Sequence, residues 1–236
     1  MLYNIAVEKA VILLKKIRYT YTKSKLALYL TNDDMILLFE RAFKKANINI
    51  KYNKKNKPLI EIASEIQLGI ESTGEIAEVL IDDEISTTYF IKILNDNLPQ
   101  GVTILSASEV QSLDIIKLKT KVISSDYEIK FNYTKELLER KTNTEINMLE
   151  KEYEEKMKEY LSAPQILVTK KSKDRMEKID IKPFVLDFKY DFNTLDITLA
   201  SSCKQSLEPE VLMKGFSEYV ESNVYFDAKR TKINLA

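Results

Sequence analysis

The sequence predicts an α+β fold of two tandem ferredoxin-like lobes with antiparallel sheets, residues 17–115 and 122–236, behind an N-terminal extension of residues 1–16. Three observations predict it. Strand-like alternation gives way to helical periodicity in the order β-α-β-β-α-β. The same element order then recurs, without recurrence of residue identity. Only four glycines and five prolines interrupt 236 residues, which leaves little chain for long loops.

In the first lobe, Ile17 to Thr22 and Leu26 to Leu30 are rich in Tyr, Thr and aliphatic residues and read as strand. Thr31 can cap a helix whose first turn carries Asp33 and Asp34, acids that suit the positive end of the dipole. Met35, Leu38, Phe39, Ala42, Phe43 and Ala46 then recur on one helical face. Ile48 to Tyr52 reads as a strand and Asn53 to Lys57 as a polar turn. Leu59 to Ala63 and Glu75 to Ile81 alternate as half-buried strands do, with Gly69 and Gly74 as bends between them. Ser86 opens a second helix with Tyr89, Phe90, Ile93, Leu94 and Asn97 inward. Pro99 and Gly101 end it, and Val102 to Leu105 returns as strand.

In the second lobe, Tyr127 to Tyr133 is a strand. Thr144 caps a long helix striped by Ile146, Leu149, Tyr153, Met157, Tyr160 and Leu161. Ile166 to Lys170, Met176 to Tyr190 and Leu195 to Ala200 read as strands. Pro209 suits the first turn of a helix carrying Leu212, Phe216, Tyr219 and Val220. Val224 to Leu235 closes in strand, interrupted near Asp227 to Lys229. The lobe boundary falls between Gln111 and Ser125.

Composition excludes several chemistries. The chain has no histidine and one cysteine, Cys203, so it can build neither a Cys/His zinc tetrahedron, nor a cysteine-held cluster, nor a histidine-based catalytic array. Neither a cofactor nor a metal of its own is expected. Lys+Arg and Asp+Glu both number 36, which removes any global field toward nucleic acid or anionic membrane. The apolar run Ala10 to Leu14 precedes Lys15 and Lys16, the reverse of a signal peptide, and no stretch approaches the ~20 apolar residues of a membrane span. A cytoplasmic location is expected, with the extension docked on the first lobe as a helix or strand.

Particular stretches carry a family resemblance. They are Tyr21-Thr22-Lys23, Thr31-Asn32-Asp33-Asp34, Glu40-Arg41-Ala42-Phe43, and Leu68-Gly69-Ile70-Glu71-Ser72-Thr73-Gly74-Glu75. Asp180-Ile181-Lys182-Pro183, Leu207 to Leu212 and Arg230-Thr231 follow in the second lobe. From about Ile17 to the C-terminus the chain resembles a bacterial family of unknown function, fused to or encoded beside radical SAM enzymes. The resemblance marks Lys23, Asp34, Glu40, Arg41, Glu71, Glu75, Asp180 and Arg230 as a shared polar set. The chain departs from that family at Asn32 (a histidine there), Leu37 (an arginine there), and Lys54 to Pro58, a shortened loop without its histidine.

The resemblance implies a non-catalytic accessory protein, partnered by a radical SAM enzyme in RNA modification or processing. The residues also admit a stand-alone RNA-binding module. Lys54, Lys55 and Lys57 sit at one hairpin tip, and Lys170, Lys171, Lys173 and Arg175 at the equivalent tip of the second lobe. Such tips could grip phosphates; solvated lysines that discourage edge pairing are the plain alternative. Glu71, Glu75, Glu78, Asp82, Asp83 and Glu84 have no calcium-loop spacing, and Glu75 could pair with Lys23 or Arg41. Cys203 reads as a small loop residue, and Glu145 to Glu159 as a solvated helix face held by i,i+4 pairs.

Overall fold

The computed structural model describes residues 14–110, 117–132, 141–172, 175–191 and 194–236. Ten strands and, among the described residues, five α-helices give a mixed α+β fold on one large, mostly antiparallel sheet.

Strand β1 (Lys15–Lys23) alternates inward Ile17, Tyr19 and Tyr21 with outward residues. It pairs antiparallel with β3 (Glu71–Ile81) and with β4 (Ile104–Glu109), while the short β2 (Ile60–Ile62) flanks the other side of β3. Helix α1 (Asn32–Lys45) connects β1 to β2. Its Thr31–Asp34 capping box closes both ways, and it buries Met35, Phe39, Ala42 and Phe43. Helix α2 (Thr87–Asn95) connects β3 to β4 and is capped by Ser86. Phe39 meets Tyr19 and Tyr21 edge-on at centroid distances of 5.3 and 5.0 Å, packing worth about 0.5–1.5 kcal/mol per pair beyond burial.

The second half of the chain adds its own strands and helices. After the single-turn α3 (Leu118–Lys121), strand β5 (Val122–Asn132) leads to α4 (Asn143–Ser162). A separate hairpin follows, β6 (Leu167–Ser172) with β7 (Arg175–Asp180). Then come β8 (Val185–Asp191), β9 (Thr194–Ala200), helix α5 (Pro209–Tyr219) and β10 (Tyr225–Leu235). The sheet order is β4-β1-β3-β10-β5-β9-β8, with β2 beside β3.

The halves share one sheet. β10 runs antiparallel along β5 and parallel to the start of β3, through Lys229↔Glu71 and Arg230↔Ser72. Gly74 makes this junction possible: a Cβ there would meet the Thr231 carbonyl oxygen at 2.2 Å and the Lys232 Cα at 2.6 Å. Gly74 is thus required for close backbone approach and keeps an ordinary φ, whereas Gly69, at φ +89°, does make a left-handed bend.

Several expectations are corrected. Lys25–Tyr29 is a 3₁₀ helix, because Ala27 and Leu30 donate backward to Ser24 and Ala27. The segment 48–52 contributes only isolated bridges, at Ile50 and Tyr52. The long helix is capped by Thr142, whose side chain and Glu145 form a capping box, and not by Thr144. The stretch 176–190 is broken by a 3₁₀ turn at Lys182–Phe184, where Pro183 cannot donate to a ladder. β10 runs unbroken through 227–229, and its register slips lie at Arg230/Lys232 and Asn234/Leu235. Tyr89 and Tyr219 face outward, at 51% and 48% exposure. Lys15 and Lys16 open β1, and residues 1–13 lie outside the described residues. No helix of the described residues is long and apolar enough to cross a membrane.

Candidate functional site

The polar centre of the molecule lies where β10 meets β3. Strand alternation puts Phe226, Ala228 and Arg230 of β10 opposite Phe131, Ile129 and Tyr127 of β5, on the helix-covered face. Arg230 therefore points into the interior and is fully buried. Its Nε donates to Glu75 Oε1 at 2.8 Å and its Nη2 to Glu75 Oε2 at 2.5 Å, a bidentate pair. Nη1 donates to the Glu65 carbonyl at 2.9 Å and to Ser64 Oγ at 3.4 Å. Ser72 Oγ donates to the Arg230 carbonyl at 3.0 Å and accepts from the Gly74 N–H at 3.2 Å.

Lys23, 2% exposed, stands at the rim of this network and donates through Nζ to the Leu30 carbonyl at 2.7 Å. Burial pulls its pKa below the usual lysine range; Glu75 opposes that shift and the like charge of Arg230 adds to it. For Arg230, burial alone disfavours the charge, but the facing Glu75 more than offsets it and the pKa rises. Burial pushes the Tyr127 phenol up, with Arg230 opposing.

Above Arg230 lies an open cleft of about 540 Å³ at the seam of the two halves. The start of α1 contributes Asn32 and Asp33; β2 and the following loop contribute Glu61, Ser64 and Glu65. The region of α3 supplies Lys117 and Lys119, and the 201–208 loop supplies Ser201, Ser202, Cys203, Ser206 and Glu208. Ser64 Oγ and Ser201 Oγ bridge the halves at 3.4 Å. Glu61 accepts the Leu118 N–H at 3.0 Å, and Cys203 Sγ donates to the Lys119 carbonyl at 3.1 Å. Burial raises the Glu208 carboxyl above its ordinary range despite the attraction of Arg230.

Four carboxylates against two ammonium groups make this cleft a poor receptor for phosphate and a better one for cationic or hydrogen-bond-donating groups. Its serines have no imidazole to activate them. Among the described residues no group of three or more His, Cys, Asp or Glu side chains could hold a metal ion.

The polar residues singled out from the sequence are divided among several places. Lys23, Glu75 and Arg230 come together, and the partner of Glu75 is Arg230, not Arg41. Asp34 closes the α1 cap, where hydrogen bonds from Thr31 hold its carboxyl below the usual range. Arg41 faces outward, lining with Asp34 a second cleft of about 590 Å³ against the turn after α2. Glu40 accepts from Lys44 at 2.7 Å and from Tyr52 at 3.0 Å. Glu71 is exposed. Asp180 accepts the Ile166 and Lys182 N–H groups, fixing the base of the hairpin.

Lys54, Lys55 and Lys57 are exposed on a turn built by Asn53 Oδ1, which accepts the Lys55 and Lys57 N–H groups. That turn joins the 48–52 segment to the start of β2, closed by the antiparallel Tyr52↔Pro58 bridge and by the Asn53 N–H donating to the Lys57 carbonyl at 2.9 Å. Lys170 and Lys171 lie on β6 and Arg175 opens β7, described by backbone alone, and Lys173 lies outside the described residues. Sequence reasoning missed Ser64, Ser72, Tyr127 and Glu208. Only the inward period of β10 signalled how deeply Arg230 would be buried.

A family described as "Uncharacterized protein conserved in bacteria (DUF2344)" matches residues 16–210. No curated protein matches the chain. A solved structure, an unknown protein from Galdieria sulphuraria, is 12% identical, covering 92% of this chain and 98% of its own, with a TM-score of 0.29.

Proposed function

We propose the following for this chain, which belongs to the uncharacterised bacterial family whose residues it matches over 16–210: it is a non-catalytic accessory protein that acts with a radical SAM enzyme in RNA modification or processing. The observation that carries the reading is the fate of the polar residues that the resemblance marks as shared. Arg230, Glu75 and Ser72 satisfy one another and adjacent backbone groups inside the sheet junction, so their bonding is spent on holding the halves together. The lack of histidine and the single cysteine agree, since the chemistry and the cluster ligands would come from the partner. On this reading each half is a ferredoxin-like unit and the protein works in the cytoplasm.

The test is co-expression with the radical SAM enzyme encoded beside a family member, followed by affinity purification. A stoichiometric complex holding the partner's cluster supports the reading; clean separation of the two proteins refutes it.

A second reading, a stand-alone RNA-binding module, is favoured by the exposed Lys54, Lys55 and Lys57 on a turn whose geometry is fixed by Asn53. It requires salt-dependent RNA binding that weakens when Lys54, Lys55, Lys170 and Lys171 are all replaced by Ala. Unchanged binding in that variant rejects it.

A further inference from the structure

We infer that the groove between the β6–β7 hairpin and helix α5 is a docking site for an acidic, apolar peptide segment of a protein partner. The inference rests on the accessory-protein reading and adds to it the surface and the kind of sequence that surface takes.

The hairpin belongs to no strand of the main sheet, and its inner face leans on α5. Gly215 permits the contact: a Cβ there would meet the Val168 Cγ2 at 2.5 Å. Between hairpin, helix and the 204–207 segment remains a groove of about 430 Å³. That lies within the ~300–1,000 Å³ range of pockets that enclose ligand groups. Val168, Ile181 and Leu207 form a buried floor, and Ile179, Phe184 and Val211 form half-buried walls.

Among the described residues, the groove's lining holds two ionised side chains, and both are lysines. Lys204 and Lys214 are exposed on the rim. Lys214 Nζ donates only to the Thr169 carbonyl, at 3.3 Å. Among the described residues neither lysine has a carboxylate within ion-pair distance. The surface is therefore complementary to apolar side chains flanked by carboxylates. An RNA strand fits it less well. Bases stack on aromatic platforms, and Phe184 is the one aromatic side chain among the groove's described lining residues. The seam cleft, with its carboxylate excess, has the opposite preference.

The experiment measures fluorescence polarisation of a fluorescein-labelled synthetic peptide, Gly-Asp-Leu-Glu-Phe-Asp-Leu-Glu-Gly, titrated with the full chain. The expected result is saturable binding that falls by about tenfold or more in the double variant Lys204→Glu/Lys214→Glu. A similar loss is expected when the peptide's acids are replaced by their amides. Both lysines are exposed, so the variant should keep its melting temperature, which circular dichroism checks. Absent binding, binding indifferent to the charge reversal, or competition by oligouridine or decanoate in place of the acidic peptide overturns the inference.

The same variant separates this inference from the reading beneath it. Undiminished co-purification of Lys204→Glu/Lys214→Glu with the radical SAM enzyme removes the groove and leaves the accessory role standing. Peptide binding without any co-purification leaves the groove standing and removes that role.

Discussion

Replacing Arg230 with Ala tests whether the sheet junction holds the halves together. The substitution removes two charge-assisted bonds to Glu75, of 2.8 and 2.5 Å, and one bond to the Glu65 carbonyl. Opposite charges ~4 Å apart attract by about 4 kcal/mol at an effective dielectric of ~20, but desolvation of both ions offsets much of that. The larger effect is on what remains. Glu75 is 1% exposed and would keep a carboxylate with only Lys23 to balance it. Removing one partner of a buried pair costs about 3–5 kcal/mol, and Lys23 places the expectation in the lower half of that range. At about 2–4 °C per kcal/mol for a chain of this size, the melting temperature should fall by roughly 10 °C.

Urea unfolding followed by far-UV circular dichroism and tyrosine fluorescence suits a chain with thirteen tyrosines and no tryptophan. The double variant Arg230→Met/Glu75→Leu leaves neither charge stranded and should be more stable than Arg230→Ala. A loss under ~1 kcal/mol for Arg230→Ala, or a double variant as unstable as the sum of its singles, would show that the pair does not organise the junction.

Three further outcomes are expected. Gly74→Ala should destabilise by about 1–3 kcal/mol, because the new methyl meets backbone of β10 that cannot rotate away; an unchanged urea midpoint would contradict the close approach. Thr31→Ala should remove about 1 kcal/mol by opening the α1 capping box, measurable in the same titration. Glu208→Gln should stabilise at neutral pH. A carboxyl whose folded pKa is raised contributes fully below its unfolded value of 4.5 and loses that contribution as pH rises through the folded value. The variant's advantage should therefore vanish in melts below about pH 4.5, and a variant less stable than the parent at about pH 7 would refute the sign.

Local order was well written in the sequence. The α1 stripe, its threonine cap and the strand at Ile17 to Thr22 each follow from short-range pattern and composition, and the structure buries Met35, Phe39, Ala42, Phe43 and Ala46 of the stripe while leaving Leu38 half-buried. Long-range order was not. The run Lys229-Arg230-Thr231-Lys232 reads as a solvated polar strand, and only counting in twos from Phe226 puts Arg230 on the inner face. Gly74 looked like a bend because glycine serves both turns and close approaches, and the partner that decides between them lies more than 150 residues away. The polar set that the resemblance marks is scattered over the sequence from Lys23 to Arg230. Folding divides it because Asp34, Glu40 and Arg41 ride the outer surface of α1 while Lys23, Glu75 and Arg230 lie in the junction beneath it.

The parallel seam also sets a timetable for synthesis. Glu75 leaves the ribosome 155 residues ahead of Arg230, an interval of roughly 8–30 s at elongation rates of ~5–20 residues per second. Throughout that interval the Glu71–Ser72 end of β3 lacks its β10 partner and Glu75 has only Lys23 to balance its charge, an edge open to rival strands. The native sheet closes only when the strand holding Arg230 arrives.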